Sequence, residues 1–529
     1  MSTLLQDTPS APLHRRFWQV AAFAALVLVG GGLIWRWQQH AWAVNELVRH
    51  GFQYDPVKRE VNSPRHWRDL SQIREPLRIL QPLSLDLSYC QKITDFSGLE
   101  KLVSLQALDL SGCLGLADTS VLAPLEALHT LHLCRCYGLK GKETFRGIAS
   151  LKNLVELDLF DCPGLEDTSM LPGLNCLREL DLSSCEGLQG KAAFQGLAGL
   201  KDLEILDLRG CDGLEDTEVL AGLAGLRELV LASCQGLKGS NAFHGISGLS
   251  NLEALNLSSC EGLEDAAALA ELKGLYRLFM DFCQNLKGKN ALQGLAGLKD
   301  LGWLSLAGCN GLEDTDPLNG LKKLHTLNLM QCTGLKGATA FAGLAGLSGL
   351  QDLCLSSCEG LDDTTALAGL TELRNLELDY CSGLKGNAAF HGLAGLKHLE
   401  RLDLKDCSGL VDTSVLAGLK DLHKLFLTNC IGLKGRTAFQ GLAGLVNLEI
   451  LHLSGGEGME DTAMLKDLNH LLTLDLISCT DLKGREALIG IAGMTKLEEL
   501  DLFHCTGLKK EEVEALQQKL GDKCLITWP

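Results

Sequence analysis

The chain has 529 residues, far more than the roughly 250 to 300 at which a single hydrophobic core stops growing, so several domains or a repeat array are expected. Apolar residues make up 46% of the chain and aromatic residues only 5%, so small and branched side chains must fill the interior. The formal net charge of -18, without a basic tract in the body of the chain, excludes nucleic acid as a partner, because binding phosphates needs clustered Lys and Arg.

An uncharged apolar stretch, residues 17–35, follows a short N-terminal tail, residues 1–16. Its length suits a helix that crosses about 30 Å of hydrocarbon. Trp18 and Trp35 lie at its two ends, where indole rings favour the headgroup boundary. The stretch therefore predicts a transmembrane helix that acts as a signal-anchor, and a lipid bilayer as one partner.

A cleavable secretory signal is the alternative, because residues 41–43 read A-W-A and match a cleavage site. The apolar run is longer than a usual signal, and Arg36 lies between it and that site, which favours the uncleaved anchor. Residues 36–82, rich in prolines and polar side chains towards their middle, are predicted to be a juxtamembrane spacer and an N-terminal cap.

Cysteines recur through the rest of the chain at steps of 23 and 26 residues, which add up to a double repeat of 49 residues. One position of the series is missing, and Gly456 occupies it. A Phe or Leu recurs independently every 49 residues from Phe145 to Leu488. The series, called the cysteine ladder below, consists of Cys90, Cys113, Cys136, Cys162, Cys185, Cys211, Cys234, Cys260, Cys283, Cys309, Cys332, Cys358, Cys381, Cys407, Cys430, Cys479 and Cys505.

Each repeat contains the pattern L-x-x-L-x-L-x-x-C-x-G-L, as in residues 177–188. The L-x-L core has the period of a strand with one buried face, and the Gly suits a turn that leaves the strand. This pattern resembles the leucine-rich repeat family, in the variant with cysteine in place of asparagine that occurs in F-box substrate adaptors. The resemblance covers residues 83–508.

The resemblance implies an α/β solenoid, a leucine-rich repeat horseshoe of about eighteen rungs with a parallel sheet on its concave face. Short helices or loops would form the convex face. Open ends of a solenoid need caps, and residues 509–529 place Val513, Leu516 and Leu520 on one helical face. This segment is predicted to be the C-terminal cap.

The cysteine ladder is predicted to be structural. One thiol per rung in a line does not converge on a metal ion, and parallel rungs do not aim their Cβ atoms at each other for disulfides. A thiol can instead fill a small space and donate a weak S–H bond to a carbonyl. Many unpaired thiols fit a reducing compartment, which favours a cytoplasmic position of the repeats on a single-pass membrane protein.

The residue between the two strand leucines faces outward, and it is acidic in rungs near both ends of the array but not in the middle. The simplest interpretation is an inherited repeat unit with solvated carboxylates. The departures in the middle suggest a binding patch, since Trp and Arg often anchor interfaces. The predicted partner-binding residues are Arg277, Phe279, Asp281, Trp303 and Met330.

The sequence contains no phosphate-binding Gly loop, nucleophile elbow or HExxH motif, so we expect neither an enzyme nor a cofactor or small-molecule substrate. The prediction is a membrane-anchored scaffold that binds a protein partner on the concave face of the solenoid. Two alternatives remain, a substrate adaptor in a ubiquitin ligase complex and an envelope or surface adhesion protein. The adaptor would need an F-box ahead of the repeats, and residues 36–82 do not resemble one.

Overall fold

The computed structural model describes residues 33–64, 67–456 and 458–528. The chain separates into two compact units. Unit 1 comprises Met1–Leu165 and Gly173–Leu177, and unit 2 comprises Glu166–Pro172 and Arg178–Pro529.

The described part of unit 1 opens with residues 33–49 in a helix, α1. Ala43 and Leu47 of α1 are fully buried, while Arg36 and Arg49 are exposed. No helix within the described ranges combines the length and the apolar character that crossing a bilayer requires. The predicted single-pass membrane localisation is therefore wrong, because the helix that continues from the predicted anchor carries charges and packs part of its length into unit 1.

Residues 17–32 of the predicted anchor, and the tail at residues 1–16, lie outside the described residues. The residues 33–35 that are described are exposed.

Unit 1 continues with an antiparallel hairpin formed by its first two strands. The second strand pairs in parallel with the third, the third with the fourth, and the fourth with the fifth. The fifth strand pairs in parallel with the sixth. The strands are β1 Gln53–Asp55, β2 Glu60–Asn62, β3 Ser84–Asp86, β4 Ala107–Asp109, β5 Thr130–His132 and β6 Glu156–Asp158. The helix α2 is Arg74–Leu80, and the 3₁₀ segments are Leu70–Gln72, Leu99–Lys101, Ser120–Leu122 and Lys142–Ser150.

Unit 2 repeats one layer, a three-residue strand followed by a 3₁₀ segment, and ends with a helix and a last strand. Its strands are β7 Glu179–Asp181, β8 Ile205–Asp207, β9 Glu228–Val230, β10 Ala254–Asn256, β11 Arg277–Phe279, β12 Trp303–Ser305, β13 Thr326–Asn328, β14 Asp352–Cys354, β15 Asn375–Glu377, β16 Arg401–Asp403, β17 Lys424–Phe426, β18 Ile450–His452, β19 Thr473–Asp475, β20 Glu499–Asp501 and β21 Leu525–Thr527.

The 3₁₀ segments of unit 2 are of two kinds that alternate along the chain. The longer ones are Lys191–Gly199, Ser240–Gly248, Gln293–Gly297, Ala338–Gly346, Asn387–Gly395, Arg436–Gly444 and Arg485–Leu488. The three-residue ones are Glu218–Leu220, Ala267–Leu269, Asp316–Leu318, Thr365–Leu367, Ser414–Leu416 and Ala463–Leu465. The helix α3 is Lys510–Leu520, with Val513 and Leu516 buried and Leu520 half-buried.

The strands of unit 2 from β7 to β21 pair in parallel and in register, for example with Leu278 opposite Leu304. The middle residue of each strand from β7 to β20 is a buried leucine, whereas most first and third residues keep some exposure. A slip of one residue would turn these leucines to solvent, so the L-x-L pattern fixes the register. We call the side that carries the first and third residues the open face of the sheet.

Candidate binding surface

The five predicted binding residues lie on or two residues after three neighbouring strands of unit 2. Arg277 and Phe279 are the first and third residues of β11, and Trp303, the first residue of β12, lies opposite Arg277. Asp281 and Met330 come two residues after β11 and β13. Arg277 and Trp303 are exposed, and the other three are half-buried.

Two further rings of the β11 rung lie over glycines of the β12 rung. A Cβ atom at Gly302 would be only 2.2 Å from Cε2 of Tyr276, and one at Gly308 only 2.4 Å from Cδ1 of Phe282. The two rings therefore occupy the space that a side chain larger than glycine at residue 302 or 308 would need. We define the aromatic cluster as Tyr276, Phe279, Phe282 and Trp303.

The aromatic cluster is held in place but open to solvent. Tyr276 is 49% exposed, Phe282 47% and Trp303 43%. The rings of Phe279 and Trp303 have centroids 6.3 Å apart at an interplanar angle of 44°, within the range of favourable ring contacts. Sequence analysis missed Tyr276 and Phe282, although the glycines one rung further along the chain were a signal that could have found them.

The carboxylate of Asp281 is engaged by the neighbouring rung. It accepts hydrogen bonds from the hydroxyl of Ser305 and, at 2.8 Å, from the backbone N–H of Ala307. Its own N–H donates to the hydroxyl of Ser258 at 3.3 Å. Asp281 thus fixes the turn after β12 beneath the aromatic cluster. Arg277 forms an ion pair with Glu228 at 3.5 Å, on the same face.

Most acidic residues at the third strand position have a structural role. Their side-chain oxygen accepts a hydrogen bond of 2.7–3.1 Å from the backbone N–H two residues on, which closes the turn after the strand. The residues with this bond are Asp86, Asp109, Asp158, Asp181, Asp207, Asn256, Asn328, Asp403, Asp475 and Asp501. The rungs on either side of the aromatic cluster keep the turn with Asn, which adds no charge.

On the open face, the third strand positions therefore form an uncharged window from β9 to β14. Five strand spacings of about 4.8 Å make it about 24 Å wide, with the aromatic cluster near its centre. Asp207 on β8 and Glu377 on β15 delimit the window on its two sides, at the same third strand position. The third residues of the six strands are Val230, Asn256, Phe279, Ser305, Asn328 and Cys354.

Another aromatic residue of the open face, Phe426 on β17, is closed to partners. It is only 9% exposed, since Arg401 and Lys405 lie over its ring at 4.5 and 4.9 Å and the ring of His452 packs against its edge. Both cations are also paired with the buried carboxylate of Asp403. Desolvation lowers the pKa of His452. Internal cation–π contacts thus occupy this ring, in contrast to the aromatic cluster.

The cysteine ladder lies in the interior, away from the open face. Each of its thiols is at most 2% exposed. Cys283, for example, donates to the backbone oxygen of Leu257 at 3.2 Å, and Cys309 to that of Met280 at 3.0 Å. Burial raises the pKa of Cys260 to about 11 and that of Cys309 to about 12. The thiols are therefore protonated at neutral pH, and no group of side chains in the described part of the chain could hold a metal ion.

Comparison with solved structures finds matches among leucine-rich repeat proteins and internalins. A leucine-rich repeat protein of Leptospira interrogans matches with a TM-score of 0.55 at 20% identity, over 87% of this chain and 99% of that one. An internalin of Listeria monocytogenes matches with a TM-score of 0.40 at 20% identity, over 68% and 83% of the two chains. An internalin C2 of the same organism has a TM-score of 0.31 at 29% identity, over 36% and 76%.

No protein-family model and no curated protein matches the sequence. The likeness to the Leptospira protein shows the fold, and the repeated strand layers agree with it. The chain has a leucine-rich repeat fold.

Proposed function

We propose that this chain is a protein-interaction scaffold that binds a partner protein through the aromatic cluster on the open face of unit 2. One observation carries the proposal. The neighbouring rungs of β11 and β12 carry three rings, Tyr276, Phe282 and Trp303, that are each more than 40% exposed in a chain with 5% aromatic residues, and glycines of the β12 rung lie against Tyr276 and Phe282. Aromatic anchors held in place before binding lose little conformational freedom in a complex, and they dominate interface energies.

The surrounding charges indicate what the partner carries. The uncharged window would face an apolar spot on the partner. The carboxylates at its borders, Asp207 and Glu377, together with Glu228 and Asp352 at the first positions of β9 and β14, would face basic residues around that spot. Such complementarity speeds association and is screened by salt, so we expect binding to weaken as ionic strength rises.

The test is copurification with matched variants. Wild-type chain, the double variant Phe279→Ala with Trp303→Ala, and the control Tyr380→Ala are each used as bait for extracts, and bound proteins are identified by mass spectrometry. Tyr380 is also an exposed ring of unit 2, at 55%, but lies outside the aromatic cluster. A protein retained by wild type and control and lost from the double variant supports the proposal. Identical sets of proteins on all three baits contradict it.

A further inference from the structure

We propose that a cleft beside the starts of β11, β12 and β13 binds a neutral saccharide, which stacks on the ring of Tyr276. The inference goes beyond the proposed function, because the ligand is a small polar molecule rather than a protein. The cleft has a volume of about 610 Å³, within the range of about 300–1,000 Å³ that is usual for small-ligand sites. The side chains that line it are Glu253, Tyr276, Arg277, Asp300, Lys323 and His325.

The cleft lies where the chain departs from its repeat unit. In three double repeats, the residue just before one strand is Arg, the residue just before the next strand is Glu, and the two form an ion pair between rungs. These pairs are Arg178 with Glu204, Arg227 with Glu253, and Arg374 with Glu400. Tyr276 and Gly302 occupy the equivalent positions before β11 and β12, each 49 residues further along the chain than the second pair. An aromatic ring and a missing side chain thus replace an ion pair.

Unit 2 also contains the matched case, with the ion pairs in place. A cleft lined by the first two of these pairs has a volume of only about 340 Å³. The cleft beside Tyr276 is nearly twice as large. A Cβ at Gly302 would lie 2.2 Å from Cε2 of Tyr276, so the glycine is what allows the ring to reach across to the next rung. The ring is nonetheless 49% exposed, which leaves it available for stacking.

The charges around the cleft cancel in pairs. The pairs are Asp300 with Lys323 at 2.6 Å, Glu253 with Arg227 at 2.6 Å, and Arg277 with Glu228 at 3.5 Å. Three acids and three bases leave no excess of either sign, so the cleft offers a charged ligand no net attraction. Each charged group keeps acceptor or donor sites beyond its ion pair, and a hydroxyl group can bond to either kind because it both donates and accepts. The cleft therefore favours a neutral ligand rich in hydroxyl groups.

Two further polar groups at the cleft are available to a ligand. Within the described ranges, neither the hydroxyl of Tyr276 nor the imidazole of His325 forms a hydrogen bond or an ion pair. His325 is exposed and precedes β13, two strand spacings from Tyr276, or about 10 Å. The C–H groups on one face of a sugar ring pack well on an aromatic ring, which also has a polar hydroxyl at its tip. A sugar that stacks on Tyr276 can thus direct its hydroxyl groups towards His325 and the charged pairs.

The experiment is a glycan array probed with the full chain. The array carries neutral, sialylated and sulfated oligosaccharides, and bound chain is detected through an affinity tag. We expect binding to neutral glycans and none to acidic ones. The neutral glycan that binds best is then titrated by calorimetry, both free in solution and attached to albumin. Binding of the free form assigns the site to the saccharide itself, and binding of the attached form alone assigns it to glycans displayed on a protein.

Two variants of the cleft and one control are titrated in the same way. Tyr276→Arg combined with Gly302→Glu installs the ion pair of the neighbouring repeats, so it should keep the urea midpoint of wild type and lose glycan binding. Tyr276→Ala should weaken binding by at least about tenfold, as for other aromatic anchors, whereas the control Tyr380→Ala should stay within about twofold of wild type. If the double variant does not fold, Tyr276→Ala decides the question.

The inference is overturned if no neutral glycan binds, if acidic glycans bind equally well, or if either folded variant of the cleft binds like wild type. The array contains no partner protein. Its outcome is therefore independent of the copurification with the Phe279→Ala and Trp303→Ala double variant, and each proposal can fail without the other.

Discussion

A buried threonine links consecutive repeats, and its removal gives a stability change of calculable size. Thr364 is fully buried, and its hydroxyl donates to the backbone oxygen of Ala389 at 2.9 Å. The same hydroxyl accepts from the N–H of Gly392 at 3.1 Å. A Cβ at Gly392 would be 1.8 Å from the backbone carbonyl oxygen of Thr364. The two backbones therefore touch, and no water fits between them.

Thr364→Val keeps the shape of the side chain and removes both hydrogen bonds. The oxygen of Ala389 keeps the N–H of Thr364 as a donor, at 2.8 Å, so its loss is small. The N–H of Gly392 loses a buried acceptor, which costs about 1–3 kcal/mol. We therefore expect the free energy of unfolding to fall by about 1–3 kcal/mol.

Urea unfolding followed by circular dichroism measures this loss, and hydrogen exchange at the amide of Gly392 locates it. The natural comparison is Ala266, which occupies the equivalent position in another repeat and is also fully buried. Ala266→Thr should raise the free energy of unfolding, because it restores the missing hydroxyl. An unfolding free energy of Thr364→Val within about 0.5 kcal/mol of wild type, with unchanged exchange at Gly392, would refute the hydrogen-bond argument.

Three further outcomes are expected. Native alkylation followed by mass spectrometry should modify the exposed Cys176 first and leave the cysteine ladder unmodified, and fast labelling of Cys283 would contradict its burial. Because burial raises the pKa of Cys211 from about 9 to about 12, the folded chain keeps protons that the unfolded chain releases. Stability is thus complete below pH 9 and falls by about 1.4 kcal/mol per pH unit for each such thiol up to pH 12, whereas a flat denaturation profile over this range would argue against it. Asp281→Ala should destabilise the chain by about 1–3 kcal/mol, because Ser305 and Ala307 lose their acceptor, and no change in the urea midpoint would show that the turn does not need it.

The repeat layers could be predicted from the sequence because their signals are local. The L-x-L pattern sets which strand residues are buried, and the same short stretch recurs in every rung, so one unit predicts the next. The position of the predicted patch followed from departures from that unit, and whether it binds a partner stays a prediction.

Other features depend on contacts between rungs and could not be found by scanning one repeat at a time. Tyr276 lies over Gly302, which is 26 residues later, so the ring only becomes significant when the two rungs are placed side by side. Asp281 accepts the hydrogen bond from the N–H of Ala307 in the turn of the next rung, because Ser305 at the third strand position of that rung does not accept it. The membrane anchor was inferred from the apolar character of residues 17–35 alone. That inference takes no account of the charged, partly buried helix into which the chain continues.

The most direct test of the central claim is a calorimetric titration of the isolated partner, once captured, into wild type, the Phe279→Ala and Trp303→Ala double variant, and Tyr380→Ala. If the aromatic cluster carries the binding energy, the double variant loses at least about 2 kcal/mol, which is a factor of about 30 in Kd, and the control is unchanged. Equal affinities of all three proteins, each shown to be folded by circular dichroism, would contradict the assignment of this surface.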